Sequence, residues 1–279
     1  MSATESTTAR GRYIGCGSLP HRNIAAAVKL ALGADVPFLP TLPRLAATER
    51  IDRQGLTPAH FAVWDRWFSA ASLRTKFPRL KIQLPGPSTA AADIWKNGAK
   101  DLLALAQSRT RELLLVLDEP CWTGLRGAKL SAEAARLRQT LRKLRAPHRR
   151  LGVHCCGETD WARLLATRPD VVSFDAALSW PLIVSAAAST FLPGGGRLIV
   201  GLPLRWLAQP TRAAQRLVET VPVEALRACR GRLDWSTACG LAGVSTGAAK
   251  SAQTRVLAVA TQFERQLNAA LASSSRASR

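Results

Sequence analysis

Short apolar runs alternate with longer amphipathic stretches eight times along the chain, and this alternation limits the folds open to it. The predicted strands are residues 13–17, 37–42, 80–84, 113–117, 151–155, 171–174, 197–201 and 232–235. The predicted helices are residues 23–32, 58–77, 90–107, 132–144, 160–166, 178–190, 212–228 and 248–271. A repeated strand-helix order is typical of an α/β protein with a parallel sheet.

The count of eight favours one closed (β/α)8 TIM barrel over an open, doubly wound sheet, which usually has five to seven strands. A length of 279 residues is also ordinary for such a barrel. No Pro- or Ser-rich linker interrupts the chain, so we expect a single catalytic domain over residues 13–271. Residues 1–12 and 272–279 are predicted to be disordered segments on either side of it.

Composition and net charge limit the binding partners and the cellular compartment that we expect for this protein. No uninterrupted apolar run approaches the ~18 residues that a membrane span needs, and the first ten residues have no apolar signal region. Together with six cysteines, this predicts a cytoplasmic protein with free or metal-bound thiols. The net charge of +20 attracts polyanions. Aromatic and basic residues do not alternate, however, so nucleic acid is not the expected partner.

Metal-ligating side chains follow three of the predicted strands. His154 and Cys156 are two residues apart and can face the barrel mouth together, while Asp175 ends the next strand and Cys239 follows the last one. Active sites of such barrels lie at this rim. One imidazole, two sulfurs and one carboxylate predict a Zn²⁺ site. Since no closed CxxC pair is present, we expect a catalytic zinc that activates a substrate thiol.

Several motifs, taken in order, resemble the catalytic barrel of the cobalamin-independent methionine synthase family. They are GSLP (17–20), LPGPST (84–89), LDEP (117–120), His-x-Cys (154–156) and CGL (239–241). The resemblance covers about residues 13–245 and implies zinc-dependent methyl transfer to homocysteine, forming methionine.

The resemblance also implies roles for individual residues. His154, Cys156 and Cys239 match the family's zinc ligands, and Asp175 stands where the family has a glutamate ligand. Further matches concern the substrate: Cys16, Gly17 and Ser18 fall in the stretch that holds the homocysteine carboxylate, and Asp118 matches the acid that takes its amino group.

The chain departs from the family in three respects. It has no second, N-terminal barrel, and residues 201–209 contain no histidine where the family places a proton donor for the folate. A second homocysteine-binding acid has no clear counterpart, although Glu49 is a candidate. The chain is therefore closer to short, single-barrel relatives, and the donor stays open between methyltetrahydrofolate and a methylated corrinoid, free or protein-bound.

Two other classes of protein remain as alternatives. A uroporphyrinogen-decarboxylase-like enzyme would bind substrate carboxylates with arginines at the barrel mouth and would need no metal. A basic nucleic-acid-associated protein with structural zinc would bind DNA or RNA with a steep dependence on salt. Metal content and salt-dependent binding discriminate between these alternatives and the methyltransferase.

Overall fold

Six parallel strands form one sheet in the computed structural model, which describes residues 11–44, 64–65, 67–69, 77–89 and 99–277. The strands are β1 (Phe77–Pro85), β2 (Thr110–Asp118), β3 (Arg149–Cys155), β4 (Val171–Asp175), β5 (Arg197–Leu202) and β6 (Leu233–Thr237). The helices are α1 (Ile24–Leu32), α2 (Ala99–Arg109), α3 (Gly127–Leu144), α4 (Trp161–Leu165), α5 (Ala176–Ala187), α6 (Pro210–Glu219), α7 (Val223–Cys229) and α8 (Thr246–Ala277). The strands pair in chain order, so the predicted α/β class with a parallel sheet is confirmed, whereas the described residues form a six-stranded curled sheet and not the predicted closed barrel of eight strands.

The first two predicted strands are not strands in this structure. Residues in these two segments or directly next to them instead make isolated parallel bridges, which pair Tyr13 with Trp235, Ile14 with Val36, Ser18 with Thr41 and Phe38 with Lys81. Pro37 and Pro40 have no N–H to donate, and Gly17 has φ +103°, which breaks the extended backbone. These bridges still connect the two segments to β6 and to β1, the edge strands of the sheet.

Several helix predictions need correction. Residue 77 belongs to β1, and of the predicted helix 58–77 only residues 64–65 and 67–69 are described as helical. The predicted helix 212–228 is two helices, α6 and α7, because Pro222 cannot continue a helix that begins before it.

The C-terminal helix runs further than the sequence predicts. α8 continues through 32 residues to Ala277, into the segment 272–279 that was expected to be disordered. Residues 1–10 of the other predicted disordered segment lie outside the described residues. None of the helices in the described ranges combines the length and the apolar composition that crossing a bilayer demands.

Alternating side chains give the sheet two apolar faces. On β2, Leu113, Leu115 and Leu117 join the large core cluster, to which the helices also contribute. Leu114 and Val116 point the other way and join a small cluster. The other members of this small cluster are Ile14, Val36, Val171 and Ile199. Because residues on well-separated strands meet on this second face, the sheet curls around it.

Ion pairs occupy the N-terminal end of the curled sheet. Asp234 is 1% exposed, and its carboxylate accepts hydrogen bonds from Arg12 and from Arg197 at 2.8–3.0 Å. Glu112 accepts from Arg79 at 2.8 Å. Charged side chains therefore pair with one another at this end of the sheet, and the predicted site lies at the opposite end.

Candidate functional site

The C-terminal ends of the strands bring the predicted site residues to one edge of the sheet. Asp118, at the end of β2, pairs in register with His154 of β3, which in turn pairs with Ser173 of β4. Asp175 ends β4, and Cys239 lies just beyond the end of β6. Parallel strands end at the same edge, so residues far apart in sequence become neighbours here.

His154 is oriented by its neighbour on β4. Its side chain is 4% exposed, and its Nδ1 lies 2.9 Å from Ser173 Oγ. The imidazole also hydrogen-bonds the side chain of Cys156. Cys155, between them, points to the other face and is buried in the core, as the alternation of a strand requires. A second polar partner that fixes the ring is typical of metal-ligating histidines.

Cys156 and Cys239 form a hydrogen-bonded thiol pair. The bond from Cys239, and then the bond from His154, lower the pKa of Cys156 to about 4. The same contact raises the pKa of Cys239 above its usual range. The pair therefore favours the thiolate form of Cys156, with Cys239 as its hydrogen-bond donor. The structure thus brings together three of the four predicted ligands.

Asp175 stands beside this trio without a direct hydrogen bond to it. Its Oδ1 accepts the backbone N–H of Ala177 at 2.8 Å and so caps α5. Burial raises the pKa of Asp175, an effect opposed by that backbone bond and by nearby Arg205. The charge of Cys156 raises the pKa of Asp175 as well. The carboxylate is therefore within electrostatic reach of the thiolate while one of its oxygens is engaged elsewhere.

The donor chemistry of the trio suits zinc. An imidazole and two sulfurs are soft ligands of the kind that Zn²⁺ takes, and the lowered pKa of Cys156 favours the thiolate form that binds metal. Among the residues the structure describes, no three His, Cys, Asp or Glu side chains are placed so that they could hold a metal ion as they stand. The donors are thus of the right kind, and their present spacing is that of a hydrogen-bonded cluster.

Ser18 and Cys16 come from the first bridged segment and lie next to the cluster. Ser18 accepts the Leu241 N–H through its carbonyl at 2.8 Å, and a side chain at Gly240 would collide with Ser18 Oγ. Gly240, the glycine of the CGL motif, therefore lets the segment after β6 lie close to Ser18. The Cys16 thiol is near Cys156 electrostatically, and burial raises its pKa to about 11. The predicted substrate-binding stretch thus borders the thiol pair.

The site also contains a buried lysine, Lys81, which the sequence analysis does not predict. Lys81 is 4% exposed, and its Nζ donates to the Gly15 carbonyl at 2.6 Å and to Gln83 Oε1 at 2.7 Å. Gln83 in turn hydrogen-bonds Asp118. Burial lowers the pKa of Lys81, while the charges of Cys16 and Asp118 oppose that shift. A series of hydrogen bonds therefore runs from Lys81 through Gln83 to Asp118 and orients the Asp118 carboxylate from the interior of the curled sheet.

Glu119, next to Asp118, has a structural contact. It is fully buried, and its Oε1 accepts the Ser88 N–H at 3.3 Å from the loop after β1. A side chain at Gly86 would collide with its carboxylate, so the GPS stretch of that loop packs directly on Glu119. Burial raises the pKa of Glu119 to about 7. Glu49, the other candidate acid, lies outside the described residues.

Gly201 of β5 packs against the backbone of Phe174 and Ala238, and replacing it by alanine should destabilise the protein. A Cβ there would collide with the Phe174 carbonyl oxygen and would lie 2.7 Å from Ala238 Cα. Since both are backbone atoms, Gly201→Ala should lower the free energy of unfolding by about 1–3 kcal/mol, measured by urea denaturation. Gly243→Ala is the control, because no described atom lies within 4 Å of the position that its added methyl group would take. Equal stability of the two variants would contradict the packing argument.

Comparisons with known proteins give distant likenesses only. No family profile matches the chain, and neither does any curated protein. A B12-independent methionine synthase from Shewanella sp. W3-18-1, solved in complex with selenomethionine, is 16% identical with a TM-score of 0.46, over 68% of this chain and 64% of that chain. A methyltransferase from Methanosarcina mazei is 13% identical with a TM-score of 0.47, over 89% of this chain and 80% of that chain. This chain thus spans 64% of the synthase structure, and likeness of this degree decides neither family nor activity.

Proposed function

We propose that this chain is a zinc-dependent S-methyltransferase that methylates homocysteine to form methionine. The observation that carries the proposal is the cluster at the sheet edge, where the side chain of Cys156 hydrogen-bonds both Cys239 and His154. It coincides with the ligand positions that the sequence motifs imply. The bridged segments 13–17 and 37–42 would complete an eight-membered barrel around this site.

His154, Cys156 and Cys239 would hold the zinc, with Asp175 as a weaker fourth ligand. Zinc bound there would favour the thiolate form of a substrate thiol at neutral pH, and a thiolate attacks an alkyl group where a thiol does not. The protein's own residues would bind and orient the amino acid. Ser18 and the backbone beside Cys16 would take its carboxylate.

Asp118 would bind the amino group of homocysteine. The carboxylate is largely buried, and its bond to Gln83 fixes its direction. A substrate ammonium group would supply the countercharge that a buried carboxylate needs. Lys81 would support this indirectly, since it holds the Gln83 oxygen at 2.7 Å and so leaves the Gln83 amide for Asp118.

The choice of methyl donor depends on the residues that follow β5. Residues 201–209 contain Arg205 and Trp206 but no histidine. The resemblance links that missing histidine to folate chemistry, so a methylated corrinoid is the better supported donor.

The test is methionine formation by the purified protein. Zinc-loaded protein is given homocysteine with methylcobalamin or with methyltetrahydrofolate, and methionine is measured by mass spectrometry. We expect product with methylcobalamin, loss of product after chelation, and none from Cys239→Ala. Absence of methionine with both donors would contradict the proposed activity, and full turnover after chelation would point to a metal-independent enzyme instead.

Asp118→Asn should separate substrate binding from metal binding. The amide keeps the shape of the side chain but loses the charge that pairs with the substrate ammonium group. Loss of a charge-assisted hydrogen bond of about 1.5–3 kcal/mol predicts an increase in KM for homocysteine of about 10–100-fold. Zinc content should equal that of the unmodified protein, and steady-state kinetics with metal analysis checks both. An unchanged KM would remove Asp118 from the substrate site.

A further inference from the structure

An arginine-rich cleft lies at the opposite end of the sheet from the candidate site. Its volume is about 990 Å³, and it opens beside the first residues of β3 and the residues just before β4. Four arginines contribute to its lining, namely Arg145, Arg149, Arg150 and Arg168. In the part of the chain that the structure describes, Asp170 is the only carboxylate that lines it. The cleft therefore carries a large excess of positive charge.

The nearby carboxylates are already engaged. Asp170 Oδ1 pairs with Arg145 Nη1 at 3.3 Å, and its Oδ2 accepts the Leu151 N–H at 2.8 Å. Arg150 pairs at 3.5 Å with Glu112, which also binds an arginine on β1. Within the described residues, Arg149 and Arg168 have no carboxylate partner. These two guanidinium groups are the ones left for a ligand.

Arg149 has an unmet hydrogen bond. Its Nη1 donates to the Leu144 carbonyl at 2.9 Å, while its Nε is buried with no acceptor among the described residues. A buried donor without an acceptor is costly, so an anion that reaches it would be bound favourably. Arg145 Nη2 donates to the Arg168 carbonyl at 2.6 Å, and this bond sets the spacing of those two residues. The arginines are thus partly preorganised around the cleft.

The remaining lining favours an oxygen-rich anion recognised by side chains. Ser189 and Thr190 add two hydroxyl donors. The backbone N–H groups of Gly194, Gly195 and Gly196 are used by bonds to Thr190, Leu192 and Phe191, so the glycine run is a closed turn rather than an anion-binding loop. Guanidinium forks match the geometry of phosphate oxygens. The arginines also converge on one cleft instead of following a stripe, which favours a compact ligand over a long polyanion.

We infer that this cleft binds a small molecule carrying a phosphate group, with Arg149 and Arg168 as its main contacts. The site is separate from the proposed methyl-transfer site and does not depend on it.

The experiment is calorimetric titration with pyrophosphate and with inorganic phosphate at constant ionic strength. Arg149→Gln/Arg168→Gln should weaken pyrophosphate binding by at least about tenfold, as expected for lost charge-assisted hydrogen bonds. Arg142→Gln/Lys143→Gln is the matched control, because it removes two exposed charges from the end of α3, outside the cleft. Since Arg168 is exposed, Arg168→Gln alone tests the site if the double variant does not fold.

Selective weakening in the cleft variants, with Cys239→Ala unchanged, supports the phosphate site. Equal affinity of the cleft and control variants, or no binding to the unmodified protein, overturns it. A DNA oligonucleotide that displaces pyrophosphate and binds both double variants alike would show a diffuse basic surface instead.

Discussion

Cys239→Ala should bind less than one-tenth of the zinc that the unmodified protein binds, roughly the loss expected when one of three strong zinc ligands is removed. The variant loses a donor sulfur and also the hydrogen bond that contributes most to the low pKa of Cys156. His154→Ala should act similarly, because it removes the imidazole and frees Ser173. Zinc per chain, measured by mass spectrometry after dialysis, checks the result.

The matched control is Cys121→Ala, which replaces an exposed thiol outside the cluster by the same residue. It should keep full zinc content. Cobalt substitution adds a second measurement, since charge-transfer absorption reports the number of bound thiolates. One zinc per chain in Cys239→Ala would refute the ligand assignment whatever the enzyme assay gives.

Asp175→Asn addresses the fourth ligand without disturbing the helix. Asparagine is as good an N-cap as aspartate, so α5 should keep its first turn. A drop in zinc affinity in this variant would therefore report coordination by the carboxylate. Unchanged affinity would leave Asp175 as a helix cap only.

Residues at strand ends could be predicted from the sequence because two simple rules place them. Strands β2, β3 and β5 contain continuous apolar runs, and parallel strands end at a common edge. Alternation then puts His154 and Cys156 on one side and Cys155 on the other. Both rules together place Cys156 and Cys239 at the same edge of the sheet. Nothing local in either motif requires that the two side chains touch, as they do in the structure.

Other features depended on contacts that the sequence does not encode locally. Lys81 and Gln83 alternate with apolar residues in β1, a pattern that indicates inward-facing polar groups, but their partners Gly15 and Asp118 come from other segments. The extension of α8 past residue 271 also depends on contacts that the local sequence does not encode. Its Ser-rich end has weak helix propensity, and packing of the preceding turns, such as the buried Leu267, favours continuation.

Asp234→Asn should lower the free energy of unfolding more than Gly201→Ala does. The Asp234 side chain is 2% exposed and binds Arg12 and Arg197, which are themselves only 20% and 18% exposed. Removing one member of a buried ion network leaves the other charges uncompensated, so the free energy of unfolding should fall by about 3–5 kcal/mol. Asp101→Asn, on the exposed face of α2, is the control and should change stability by less than about 0.5 kcal/mol. Urea denaturation at pH 7 measures both.

The pH dependence of this difference gives an independent check. Burial alone would raise the pKa of Asp234, but hydrogen bonds from Arg12 and Arg197 outweigh it and the pKa is lowered. A lowered pKa in the folded state means that the stabilisation is present above the unfolded value of about 3.9 and is lost as the pH falls through the folded value. The gap between the unmodified protein and Asp234→Asn should therefore be constant from about pH 5 to 7 and shrink below about pH 4. A gap under about 1 kcal/mol at neutral pH, or one that widens in acid, would show that the Arg12–Asp234–Arg197 network does not anchor the N-terminal segment against β5 and β6.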